Sequence, residues 1–353
     1  MRLSIFAMLL AVCWAGVGSL ASGQAPIDKI FLVGKGGEPI KGAISGTKPT
    51  EVTVDQAGAS KSIPANEVAR IIYDGEPPTL ANVRNAVIQK NYNLAKTELD
   101  KLDLNNISRD VVKQEAEYLK AFVAAKLAMT AGGDKKEAMT QMKAFARANR
   151  ESYHFYDSAE VLGDLAVASG DFASAANYYG EKGLGAAPWP EVQMRAGIAG
   201  GRALVLAKKY EEGLAKFSAV LASEVASPEA KMQKQHATVG KAVCLAETGK
   251  TDEGIKLLND IIATGDPADV KLFARVYNAL GHCLLKTDKK DKEEAALMAY
   301  LHTSLLFFSD SDAHAESLYN LAKLWDFLEK KDRATDARRT LTDRYAGSIW
   351  ANQ

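Results

Sequence analysis

Apolar positions change period part-way along this chain, and that change divides it. Over residues 26–76 they come in short runs or alternate: Ile30-Phe-Leu-Val33, Ile40 to Ile44, Val52-Thr-Val54, Ile63 and Ile71-Ile-Tyr73. Gly34-Lys-Gly36-Gly37, Asp55-Gln-Ala-Gly58 and Asp74-Gly75 separate them as turn signals. This pattern predicts about five short strands, and Pro64-Ala-Asn-Glu-Val68 predicts one helical turn before the last of them. After Glu76-Pro77-Pro78 the spacing becomes that of amphipathic helices and stays so to the C-terminus. The expected protein is mainly α, with a small β-barrel or β-sheet module over residues 26–76 followed by helices over 79–353.

The helical part repeats. Small residues recur at Ala95, Ala138, Ala175, Gly213, Gly254, Ala295 and Ala334, each in a setting that reads as the second helix of a hairpin. The clearest copy runs from Ala159 to Tyr179. It has a Leu162-Gly163 step, a Gly170-Asp171-Phe172 turn, and Ala175 with Tyr179 on the inner face of the second helix. Such a hairpin leaves an apolar face that only a neighbour of the same kind can cover, so about seven of them imply a stacked array. Gly163, Gly201, Gly281 and Ala322 are expected where the two helices of a hairpin cross, with Phe172, Tyr179, Phe217 and Trp325 filling gaps. In the fifth copy Val239-Gly240 stands too far from Gly249 to fit the common register.

These motifs resemble the tetratricopeptide repeat (TPR) family, and the resemblance covers about residues 79–353. The repeat interval is roughly forty residues against about 34 in the standard repeat. The excess falls in Gly/Pro-rich or polar connections such as Thr130-Ala-Gly-Gly-Asp134, Ala226-Ser-Pro228, Gly265-Asp-Pro267 and Thr287-Asp-Lys-Lys-Asp291. The resemblance implies a TPR-like α-solenoid whose first helices line a concave groove. The strand-rich stretch looks like the SH3-like or Sm-like β modules found near the start of some exported bacterial proteins. The ending Asp343-Arg-Tyr345-Ala-Gly347-Ser-Ile-Trp350-Ala is similar to a loop of exported bacterial TPR proteins.

Composition narrows the function without naming it. Lys plus Arg and Asp plus Glu both number 44, and no basic stripe is visible, so a nucleic-acid partner is not expected. Arg2, the apolar stretch from Leu3 to Ala15, and small residues at Ser19, Ala21, Ser22 and Gly23 read as a signal peptide over residues 1–23. The mature chain is then exported, periplasmic or secreted, with no integral membrane segment. Of its cysteines only Cys244 and Cys283 follow the leader. Both are expected as buried free thiols rather than a disulfide.

No nucleophile elbow, phosphate-binding loop or His-Glu-x-x-His pair occurs, and the histidines are scattered. Neither cofactor nor metal is expected, and the chain reads as no enzyme. Two functions fit. One is a protein–protein interaction scaffold of the cell envelope that holds a peptide or protein in its groove. The other is an accessory or carbohydrate-binding subunit that binds through the β module. For the first, counting from the Leu-Gly steps puts Asp164, Arg202, His282 and Lys323 in the groove. Ile198, Asn278 and Tyr319 lie one turn earlier on the same face. Oligomeric state is left open by the sequence.

Overall fold

The computed structural model describes residues 25–353 except Lys35 and Ala57; the leader expected over residues 1–23 lies outside the described residues. Strands β1 (Asp28–Leu32), β2 (Ile40–Lys48), β3 (Glu51–Gln56), β4 (Ala59–Pro64) and β5 (Val68–Ile72) form one antiparallel sheet in the order β4-β3-β2-β1-β5. The start of β2 pairs with β1 and the rest with β3, and the register slips between Ile44 and Gly46. That bulge bends β2, so the sheet curls around Ile30, Ile44, Val52, Val54, Ile63 and Ile71, all buried. Gly42 is required at the bend, since a Cβ there would stand 2.8 Å from Val54 Cγ2. The expected helical turn before the last strand is a 3₁₀ turn at Ala65–Glu67.

Fourteen α-helices follow, paired into seven hairpins. The first three pairs are α1 (Pro78–Ile88) with α2 (Tyr92–Leu99), α3 (Asp110–Thr130) with α4 (Lys135–Ala148), and α5 (Phe155–Ala168) with α6 (Phe172–Tyr179). The other four are α7 (Pro190–Leu206) with α8 (Tyr210–Leu221), α9 (Pro228–Glu247) with α10 (Thr251–Thr264), α11 (Val270–Leu284) with α12 (Lys292–Leu306), and α13 (Ser311–Phe327) with α14 (Lys331–Tyr345). Among the described residues no strand follows Ile72. First helices also pack on first helices, α3 on α5, α7 on α9, α9 on α11 and α11 on α13, which makes them an inner layer.

Backbone geometry repeats more faithfully than side-chain identity. Lys90, Gly132, Gly170, Lys208, Gly249 and Glu329 all take left-handed φ, between 56° and 87°. In five of these turns the next N–H reaches back over the helix end: Asn91 to Ala86, Asp171 to Ala166, Lys209 to Leu204, Lys250 to Leu245 and Lys330 to Trp325, at 2.8–2.9 Å. This Schellman closure satisfies orphaned carbonyls and turns the chain sharply into the second helix. Counting back from those turns corrects two positions. Ala242, not Gly240, sits where Gly163 and Gly201 do, because Gly249 lies as far beyond Ala242 as Gly170 lies beyond Gly163. Gly240 instead makes room for Phe217 of the preceding hairpin, whose Cε2 would stand 2.6 Å from an added Cβ. In the sixth hairpin the buried anchor is Ala296, fully enclosed, rather than half-buried Ala295, since the longer turn shifts the helix by one residue.

The crossings are as close as the glycines imply. A Cβ on Gly163 would stand 2.5 Å from Tyr179 Cζ, one on Gly201 would stand 2.7 Å from Phe217 Cε1, and one on Gly281 2.7 Å from Tyr300 Cε2. Tyr179, Phe217 and Tyr300 are buried, whereas Phe172 and Trp325 are half-exposed and contribute less to the core. Cys244 and Cys283 are free and buried. Burial in apolar surroundings pushes both thiols up to about 12.

A buried ionic joint fixes the sheet to the helices. Asp28, fully buried, accepts hydrogen bonds from the backbone N–H of Ile44 and Asp74 and from both terminal nitrogens of Arg109, all at 2.8–2.9 Å. Arg84 donates to both oxygens of Glu76 at 2.7 and 2.8 Å and to Glu115 at 3.3 Å. Glu115 also accepts from Tyr153 Oη at 2.7 Å and lies 3.0 Å from His154 Nε2, whose Nδ1 is 3.1 Å from Asp157. At the other end the chain closes on itself: Gly347 N donates to Thr130 O at 3.2 Å, and Ala346 rests against Gly132. The last hairpin thereby meets the second.

Candidate partner-binding groove

Polar side chains of four successive first helices converge on that inner layer. Arg202 of α7 donates to Asp312 of α13 at 2.7 Å, spanning α9 and α11. Arg275 of α11 lies 3.5 Å from both Asp310 and Asp312. Arg202 and Asp312 keep 39% and 50% of their side-chain exposure, so the pair is accessible on the inner layer. Burial raises the Glu316 carboxyl, and neighbouring Asp312 adds to the rise. Burial takes His236 of α9 down to about 4, with Arg275 and Arg202 nearby, so its ring is neutral at pH 7. Further along the same wall Arg195 pairs with Glu160 at 3.1 Å and Lys126 with Asp164 at 3.6 Å.

The residues expected in the groove divide into three groups. Arg202 belongs to the central cluster. Asp164, His282 and Lys323 line the wall but have neighbours of their own: Asp164 accepts from Tyr179 Oη at 2.7 Å, and His282 lies 2.6 Å from Glu247, which Lys286 also approaches at 2.9 Å. Exposed Lys323 stands 5.1 Å over the ring of half-buried Tyr319, itself tilted against Trp350. Ile198 and Asn278 do not line the groove. Ile198 is 8% exposed, packed with Met194 and Phe217, and Asn278 is 1% exposed. Both stand where neighbouring first helices touch, one turn from the wall, and that crossing removes them from solvent.

Asn278 retains a polar role. Its Nδ2 donates to Ala313 O at 2.8 Å and to Glu316 at 3.2 Å, while its buried Oδ1 has no partner. Arg275, His236, Asp312 and Glu316 escaped the sequence reading. Their signal was the same helical stripe carried two turns further toward the helix starts: Arg275, Asn278 and His282 share one face, as do Asp312, Glu316, Tyr319 and Lys323. His236 was hidden by the misplaced fifth register, since it lies as far before Val243 as Arg275 lies before His282.

The buried joint holds another cluster with displaced titrations. Burial opposes ionisation of Glu115, yet His154 and Arg84 hold its carboxyl down at about 2, while Asp157 and Glu115 hold His154 at about 9 against its burial. Arg84, Glu115 and His154 are at most 11% exposed, which seals the cluster as a structural ion network. Among the described residues no group of His, Cys, Asp and Glu is arranged to hold a metal ion, and no helix is long and apolar enough to cross a membrane.

Seven stacked hairpins with small residues at each crossing and an inner layer of first helices decide the architecture. The chain has a TPR-like fold. A TPR protein from Parabacteroides merdae matches it at a TM-score of 0.51 with 16% identity, over 75% of this chain and 91% of that one. NprR, solved in complex with its cognate peptide NprX, aligns at 0.49 with 14% identity, over 75% and 77% of the two chains. RapI in its apo form aligns at 0.46 with 12% identity, over 75% and 74%. No family model matches the sequence, and no curated protein matches it. The TPR-like array is thus a likeness of fold.

Proposed function

We propose that the chain is a non-catalytic interaction scaffold whose inner wall holds an extended segment of a protein partner, and that it works outside the cytoplasm in the cell envelope. The observation that carries this is the polar cluster of Arg202, Arg275, Asp312, Glu316 and Asn278. Arg202 and Asp312 are held in place by their ion pair yet remain reachable by solvent, while Asn278 lies buried behind them and ties α11 to α13. An extended peptide brings backbone N–H and C=O groups that match such a wall, and exchanging Arg202–Asp312 for partner contacts costs little because both are solvent-exposed. Export rests on the leader alone. The β module contributes rigidity in this reading, since its Tyr73 is buried and Asp28 is fixed by Arg109.

The test uses charge reversal that leaves the fold intact. The pair Arg202→Glu with Lys323→Glu should reduce partner capture from the native host at least tenfold with Tm unchanged. The swap Arg202→Asp with Asp312→Arg, which keeps an ion pair, controls for stability. Undiminished capture by the double reversal would move the site off the inner wall.

A further inference from the structure

A second site lies on the outside of the array, between the second and third hairpins. Its walls are Lys143, Ala146, Arg147 and Arg150 from the end of α4 and the loop beyond it, Phe155 and Leu162 of α5, and Tyr178 of α6, bounding about 540 Å³. Residues 134–151 carry Lys135, Lys136, Lys143, Arg147 and Arg150 against Asp134, Glu137 and Glu151, in a chain whose formal charge is zero. Glu137 is engaged by Gln141 at 2.9 Å and stands two turns from the cleft. Arg147 and Arg150 take part in none of the ion pairs among the described residues. Lys143 stands 5.9 Å from the Tyr178 ring and is felt by Asp171, the α6 cap.

Like charges four apart on one helix repel, as Lys143 and Arg147 do. Arg150 adds a third positive group beside them. Arg147 near the helix C-terminus is favourable on its own, but that does not account for three cations turned toward one aromatic-walled cleft. The sequence showed no basic stripe because these residues are spaced by helical turns and diluted by alanines. Only the packing of α5 and α6 against α4 brings the rings beside them.

We propose that this cleft is a docking site for an acidic segment of a partner polypeptide, two or more carboxylates flanking an aromatic residue. The carboxylates meet Lys143, Arg147 and Arg150, and the ring packs between Phe155 and Tyr178 over Leu162. The cleft is independent of the inner wall and holds whether or not the reading of the groove does. Three cations along one open cleft suit a short acidic stretch, whereas a nucleic-acid backbone wants a longer basic track.

The experiment measures fluorescence anisotropy of fluorescein-labelled EEYEE peptide on the full mature chain, with KKYKK as the control probe. EEYEE should bind and KKYKK should not, and affinity should fall several-fold between 50 and 300 mM salt as screening takes hold. Arg147→Glu with Arg150→Glu should weaken EEYEE at least tenfold, as should the milder Arg147→Gln with Arg150→Gln if the reversal disturbs folding. Tyr178→Ala should weaken it several-fold with the salt dependence retained, and Asp171→Asn should tighten it. Arg202→Glu, on the inner wall, should leave it unchanged. Equal binding of the two peptides, or affinity indifferent to both arginine pairs, overturns the proposal. Displacement of the peptide by millimolar inorganic phosphate or by an RNA oligomer of similar charge also overturns it, by assigning the cleft to phosphate.

Discussion

Replacing Gly163 by alanine tests the packing logic of every hairpin with one carbon atom. The added Cβ would stand 2.5 Å from Cζ of Tyr179, about an ångström inside ordinary contact. Tyr179 cannot swing away freely: it is 5% exposed, and its hydroxyl donates to Asp164 at 2.7 Å. Helix propensity favours alanine by about 1 kcal/mol. Against this stand overpacking, about 1–3 kcal/mol, and the Tyr179–Asp164 hydrogen bond if the ring gives way, about 1 kcal/mol. The net expectation is destabilisation of about 1–3 kcal/mol, or roughly 2 °C in Tm per kcal/mol for a chain of this size. Urea melts followed by circular dichroism would read it. Combining Gly163→Ala with Tyr179→Leu should recover at least 1 kcal/mol of the sum of the single costs, because the two side chains share one space. A single variant as stable as wild type, or strictly additive costs, would refute the close crossing.

Further expectations concern the joint, the histidines and the thiols. Arg84→Met leaves buried Glu76 without its cation and Glu115 with His154 alone, and should cost about 3–5 kcal/mol, measured by urea melts at pH 7. Stability should be greatest near pH 6.5. His154, held at about 9, contributes stability that is complete below 6.5 and lost as pH rises through 9, whereas His314, brought down to about 4 by burial and by Arg344, contributes stability lost as pH falls from 6.5 toward 4. His154→Gln should flatten the alkaline limb. The acid limb should flatten when His314→Gln is combined with His236→Gln, since burial lowers the His236 ring to about 4 as well. Cys244 and Cys283 should react with iodoacetamide at pH 8 no faster than the chain unfolds, and alkylation as fast as that of a free cysteine would contradict their burial.

How far the sequence could be read followed from which interactions are local. The strand–helix boundary at Pro77-Pro78 and the seven hairpins were legible because period, turn glycines and small residues act within one hairpin. Two registers were not. Gly240 looks like a Leu-Gly step, yet its missing Cβ accommodates Phe217 from the preceding hairpin, and only the left-handed turn at Gly249 shows that Ala242 holds the position. The left-handed turns themselves were half hidden, since Lys90, Lys208 and Glu329 occupy positions where glycine is the ordinary signal.

Arg202, His282 and Lys323 stand on the wall, but Ile198 and Asn278 fall where first helices meet, a contact between hairpins that no spacing within one hairpin reveals. The Arg202–Asp312 pair depends on the whole curvature of the array. The ionic joint, which joins Asp28 to Arg109 and Arg84 to Glu115, was hidden for another reason: its members stand 81 and 31 residues apart on different elements. That joint also changes how the β module can be tested: deleting residues 26–76 would strip Glu76 from Arg84 and destabilise the first hairpins, so loss of a partner after deletion would not identify the module as its site.

The central claim is that the partner lies along the inner wall, and site-specific photo-crosslinking in the native host tests it most directly. A photo-reactive amino acid would be placed in turn at Arg202 and Lys323 on the wall, and at Lys256 on the exposed face of α10. The account predicts that one protein species crosslinks from 202 and 323, does not crosslink from 256, and disappears from 323 when Asp312→Arg is introduced beside Arg202→Asp. Crosslinks arising from 256 alone, or unaffected by that charge swap, would contradict it.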